Sequence, residues 1–147
     1  DTCIEIAKHP NVLGIKCSDA PAYARQLYDA IGDKFRIIVA QPDLVDTFIR
    51  HGIMEHLDGI YCLCPQWVRA VADHSQKGEW KKATEYQAKI SGILRILRRG
   101  NALAFFSWVM NARGIPGSFA PKPFRPLNDE QIAAAKKEPV VQELLAS

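Results

Sequence analysis

Three times in the first half of the chain a short apolar run leads into a proline-marked turn and then into helical text, and this recurrence restricts the fold more than any other feature. The first run, Val12, Leu13, Gly14 and Ile15, ends in Lys16, and its unbroken apolarity predicts a strand covered on both faces. Ser18-Asp19-Ala20-Pro21 then reads as a helix start, with Ser18 or Asp19 as the cap. Tyr23, Ala24, Leu27 and Ile31 form that helix's apolar face and Gly32 ends it. The second pass is a β-branched strand over 35–40, the turn Gln41-Pro42-Asp43 and a helix over 44–50 closed by Gly52. The third is a strand over 59–63, the turn Cys64-Pro65-Gln66 and a helix over 67–76 ending near Gly78. Residues 2–8 precede the first strand as the last turns of another helix, stopped by His9-Pro10-Asn11. Strands separated by helices pair in parallel through right-handed crossovers, which places the chain in the α/β class.

Downstream only helices are expected, over 79–97, 102–112 and 129–137, the last starting at Asn128. Between the last two, Gly114-Ile115-Pro116-Gly117 and the prolines at 121, 123 and 126 make a stiff connector draped over the surface. Residues 1–78 thus hold three strand–helix units, and residues 79–147 form a C-terminal helical extension of the same domain. Three parallel strands leave two open edges, and helices from this chain can cover one face only. A closed parallel barrel resolves both problems, so the expected architecture is the second half of a (β/α)8 barrel of the TIM type: three parallel strands with their helices, then a helical segment.

With 147 residues, 48% of them hydrophobic and 24% charged, the chain is too apolar for disorder and fits one domain. Its net charge of +3 carries no focused basic patch. Arg95, Arg98 and Arg99 fall at helical spacing as the solvated side of a helix, so no nucleic-acid partner is expected. No apolar run approaches the ~18 residues of a membrane span, and no membrane partner is expected. The four cysteines lack the spacing of a disulfide scaffold, which makes a reducing cytoplasm the default compartment. The chain opens on Asp1 rather than Met and runs straight into helical text, from which we expect a piece of a longer protein.

Lys16 is the most informative single position, because catalytic groups gather where parallel strands end. A lysine partly desolvated at such an end carries a fraction of free amine able to attack a carbonyl and form a Schiff base. Set against this is the plain reading of a lysine reaching out of a strand into water. The run Asn11-Val12-Leu13-Gly14-Ile15-Lys16-Cys17-Ser18-Asp19, preceded by His9-Pro10, resembles the Schiff-base strand of the dihydrodipicolinate synthase and N-acetylneuraminate lyase family. Arg125-Pro126-Leu127 and Asn128-Asp129-Glu130 resemble that family's entry to its last helix. The resemblance covers nearly the whole chain and aligns it with the second half of the family's barrel.

That resemblance implies a class I aldolase or lyase in which Lys16 forms an imine with a 2-oxo acid such as pyruvate. The protonated imine then acts as an electron sink for making or breaking a carbon–carbon bond. The same imine serves sugar-acid dehydration in some relatives. It also implies substrate contacts from Asp43, Tyr61 and Cys62, no cofactor, and assembly as a homotetramer. The family's tyrosine proton shuttle and its carboxylate-binding Thr-Thr or Ser-Thr turn lie on earlier strands. The chain therefore needs an N-terminal half for activity and alone would be inactive. The alternative from a different class is a non-catalytic remnant or assembly module with the same architecture.

Other constellations have plainer explanations. Cys62 and Cys64 with His51, His56 or His74 lack the paired Cys-x-x-Cys turns of zinc sites; no metal site is expected, and the cysteines read as ordinary buried thiols whose Cys-x-Cys strand spacing points both sulfurs one way. Phe105, Phe106 and Trp108 read as core or subunit packing.

Overall fold

The computed structural model describes residues 2–147. β1 (Gly14–Cys17) and β2 (Arg36–Val39) pair in parallel, with Gly14 opposite Arg36, Ile15 opposite Ile37, Lys16 opposite Ile38 and Cys17 opposite Val39. α1 (Thr2–Ile6) precedes them, and α2 (Pro21–Ile31) makes the crossover with Pro21 in its first turn, where a missing N–H costs nothing. Neither Ser18 nor Asp19 caps that helix. Ala20 occupies the cap position, where its methyl has no acceptor to offer, and the Asp19 carboxylate accepts from the Ala20 N–H at 2.6 Å.

After β2 a 3-10 turn at Pro42–Leu44 leads into α3 (Val45–Arg50). Gly52, at φ 84°, reverses the chain in the left-handed region that glycine favours.

The third strand is not where the sequence pattern puts it. Residues Gly59–Cys62 form a 3-10 turn, and the parallel contact comes earlier, as a single bridge between Val39 and His56. There the Val39 N–H donates to Glu55 O at 2.8 Å and the Leu57 N–H to Val39 O at 3.0 Å. The reason is local. Asp58 accepts from the Ile60 N–H at 3.0 Å and nucleates the turn, and Ile60 and Leu63, three apart, then both drop into the helical core. The structure thus has two paired strands and a third segment touching β2 at one residue, in place of three full strands.

The rest is helical. α4 (Pro65–Gln76), α5 (Trp80–Leu97) and α6 (Ala102–Ala112) follow, α4 starting at Pro65, two residues ahead of the expected start. α7 (Asp129–Lys136) opens with a reciprocal cap: Asn128 Oδ1 accepts from the Gln131 N–H at 2.8 Å, and Gln131 Oε1 accepts from the Asn128 N–H at 3.0 Å. α8 (Pro139–Ala146) was not anticipated, although Pro139 at its start and the 141/144 spacing of Val141 and Leu144, both fully buried, carry the signal.

Two apolar cores result. The smaller lies between the strands and α2, with Leu27, Phe35, Ile37, Val39 and Phe48 at its centre. The larger packs α4 and α5 with α6 and α8 around Trp67, Val71, Ile90, Ile93, Val109 and Leu144. No helix among the described residues is long and apolar enough to cross a membrane.

Candidate active site at the open face of the sheet

Side chains alternate along each strand, and in this sheet the alternation separates a covered face from an open one. Cys17, Ile37 and Val39 are buried beneath α2 and α3. Gly14, Lys16, Arg36 and Ile38 occupy the other face, where Lys16 and Arg36 are exposed and Ile38 is half-buried. The unbroken apolar run before Lys16 therefore does not mark a strand covered twice within this chain: Cys17 is buried on one face while Lys16 is exposed on the other.

Gly14 is required by the close approach of the two strands. A Cβ at this position would stand 2.6 Å from the carbonyl oxygen of Arg36 and 2.7 Å from its Cβ. Arg36 turns the other way and grips Glu55 of the third segment, its Nε 2.9 and 3.1 Å from the two carboxylate oxygens and a terminal nitrogen 2.9 Å from one of them. The carboxylate at that distance raises the Arg36 pKa. Sequence reasoning passed over both residues, although an arginine inside the β-branched run 35–40 is a visible departure.

The exits of the strands are tied together above Lys16. The Ala40 N–H donates to Cys17 O at 2.8 Å, extending the ladder by one bond. Gln41 Nε2 donates to Asp19 O, so the segment leaving β1 is fastened to the segment leaving β2.

The other candidates sit apart from the lysine. Asp43, in the 3-10 turn after β2, is ion-paired with Arg98, the residue that follows α5. Tyr61 lies half-buried against the helical core, its hydroxyl enclosed without a hydrogen-bond partner, and burial pushes its pKa up. Cys62 is exposed and its thiol donates to Gly59 O at 2.9 Å, whereas Cys64 is buried and desolvation pushes its thiol up to about 12. The two sulfurs thus do not share one strand face, and Cys62 is not a buried thiol, because the backbone there is a 3-10 turn. Among the described residues, no hydrogen bond or ion pair joins Lys16 to Asp43, Tyr61 or Cys62.

Parallel strands joined by a helical crossover, a lysine at a strand end on the open face and a helical segment behind it define an α/β protein. The family model of the dihydrodipicolinate synthetase family matches residues 1–142, and the chain belongs to that family. Solved structures of the same fold include the dihydrodipicolinate synthase of Bacteroides thetaiotaomicron, with a TM-score of 0.79 at 18% identity, covering 99% of this chain and 49% of that one. The chloride-inhibited dihydrodipicolinate synthase of Acinetobacter baumannii, complexed with pyruvate, gives 0.77 at 17% identity over 99% and 48%. A variant of the Sulfolobus solfataricus 2-keto-3-deoxygluconate aldolase gives 0.76 at 15% identity over 90% and 45%. The chain spans about half the length of the solved structures it matches.

Proposed function

We propose that the chain contributes the Schiff-base half of a class I aldolase or lyase, with Lys16 as the nucleophile and a 2-oxo acid such as pyruvate as the substrate. The observation that carries this reading is the place of Lys16: at the end of a parallel strand, on the face the chain's own helices leave open, within a chain belonging to the dihydrodipicolinate synthetase family. The neutral amine attacks the carbonyl carbon, the carbinolamine loses water, and the resulting iminium draws electrons from the adjacent carbon, so that a carbon–carbon bond there forms or breaks through an enamine. Dehydration of a sugar acid through the same imine is the neighbouring reaction.

The groups that bind the substrate carboxylate and carry protons come, in this reading, from an N-terminal half-barrel that covers the open face and pairs with the outer edge of β1. Without that half the chain has a nucleophile and no means of positioning substrate. Asp43, Tyr61 and Cys62 contribute to the pocket from the segments after β2 and the third segment. A homotetramer in the reducing cytoplasm completes the proposal.

The test is reductive trapping. In the completed barrel, borohydride with pyruvate adds mass at Lys16, and Lys16→Ala removes the adduct. Absence of an adduct at Lys16 in that assembly overturns the enzyme reading in favour of an assembly module.

A further inference from the structure

An amine that must attack a carbonyl has to be kept from a nearby carboxylate, because an ion pair holds it as ammonium. The sheet places such a carboxylate beside Lys16. Lys16 stands opposite Ile38, and the bridge from Val39 to His56 puts Glu55, one residue back, beside Ile38 on the same level. His56 faces the helices, where its ring meets Phe48 at 6.1 Å, so Glu55 faces the open side with Lys16. Two strand spacings separate the Lys16 and Glu55 backbones by about 10 Å. The two side chains together span roughly that distance, so a Lys16–Glu55 ion pair across Ile38 is within reach.

The structure shows another arrangement. Glu55 is turned toward Arg36, one inward-facing position before Ile38, and both of its oxygens are held by the guanidinium. We propose that Arg36 is a positioning residue for Lys16: by holding the Glu55 carboxylate in a two-pronged ion pair, it keeps that carboxylate off the amine and leaves the amine free to react. An arginine suits this task because it stays charged and its planar fork grips both oxygens. The inference rests on the reading of Lys16 as the imine-forming amine.

Other charged groups near the strand ends have partners of their own. Asp19 accepts from the Ala20 N–H, Asp58 accepts from the Ile60 N–H, and Asp43 is paired with Arg98. Glu5 of α1 and Lys8, in the turn after it, pair with each other at 2.8 Å. Cys17 and His56 lie on the covered face. Among the described residues, Glu55 and Arg36 are thus the charged groups that share the open face with Lys16 on the neighbouring segments.

The experiment measures the pH dependence of the borohydride-trapped pyruvate adduct at Lys16 in the completed barrel. Arg36→Met releases Glu55 to the lysine, so the midpoint for adduct formation rises by about one unit and the rate at pH 7 falls about tenfold. Glu55→Gln leaves Arg36 as an unbalanced cation near the amine, so the midpoint moves down. The double variant returns close to the parent value. Opposite shifts in the single variants, cancelled in the double, are a signature that general destabilisation does not produce. Should Arg36→Met fail to fold, Glu55→Gln decides alone: a lowered midpoint supports the proposal and an unchanged one overturns it. Equal midpoints in all variants, or shifts of the same sign in both singles, also overturn it. If the parent forms no adduct, the reading of Lys16 itself has failed and the role of Arg36 falls with it.

Discussion

The helical region and the strand layer bury their apolar residues in different ways. Around α5 the core is enclosed: Ile90, Ile93, Val141 and Leu144 are fully buried, with Trp67 and Val71 closing the α4 side. The strand layer buries one face under α2 and α3 and leaves Gly14, Lys16, Arg36 and Ile38 on the other. Parallel strands in globular proteins are covered on both faces. The residues with chemical potential therefore lie in the layer that packs on one side only, and the enclosed helices stabilise the scaffold that presents them.

The sharpest way to break this contrast is to remove the same methyl and methylene groups on either side of it. Ile93→Ala, in the helical core, is expected to cost about 2–5 kcal/mol in urea unfolding, as fully buried isoleucines do. Ile38→Ala, on the open face, is expected to cost under ~1 kcal/mol in this chain and to approach the Ile93 value once the barrel is completed. Equal losses at the two positions in the chain alone would mean that the open face is not open in solution.

Gly14→Ala comes next, at about 1–3 kcal/mol, because its new Cβ meets the Arg36 backbone, which cannot give way without separating the strands. A neutral result, measured by the same unfolding curves, would show that β1 and β2 are farther apart than the register requires. In the helical region, Asn128→Ala breaks the reciprocal cap of α7 and is expected to cost about 1 kcal/mol. A loss near zero would show that packing of Ala135, not the cap, fixes that helix.

What was legible in the sequence follows the same division. Helices with a one-sided apolar face announced themselves by period and punctuation, and α5, α6 and α7 start and stop within a residue or two of expectation. The first two strands were legible, one from a continuous apolar run and the other from a β-branched run, each ending at a turn, and Lys16 from its place at the end of the first. The third failed because its pairing residues, Glu55, His56 and Leu57, carry no strand pattern, while the apolar Ile60 and Leu63 that drew attention belong to a turn feeding the helical core. Arg36 and Glu55 were illegible as a pair for a related reason. Their meeting depends on the register between β2 and a segment joined to it by one bridge, and register is a tertiary fact.

The smallest expected effect concerns that same bridge. His56 Nε2 lies 3.0 Å from Ile53 O, which only accepts, so Nε2 carries the proton and the buried Nδ1 is bare and unpartnered. Protonating Nδ1 would enclose a charge against Phe48, and this burial lowers the His56 pKa despite the opposing pull of the Ile53 carbonyl. In the unfolded chain the ring titrates near the ordinary ~6.5. As pH falls through that value the unfolded state takes up a proton that the folded state refuses, so stability declines toward acid and is unaffected well above it. The loss between pH 7 and pH 6 is at most ~0.7 kcal/mol for one such group. His56→Gln should flatten that part of the stability–pH curve while leaving the pH 8 value nearly unchanged, as read by urea unfolding at each pH. An identical slope in the variant would show that the buried His56 ring is not the source of the acid sensitivity.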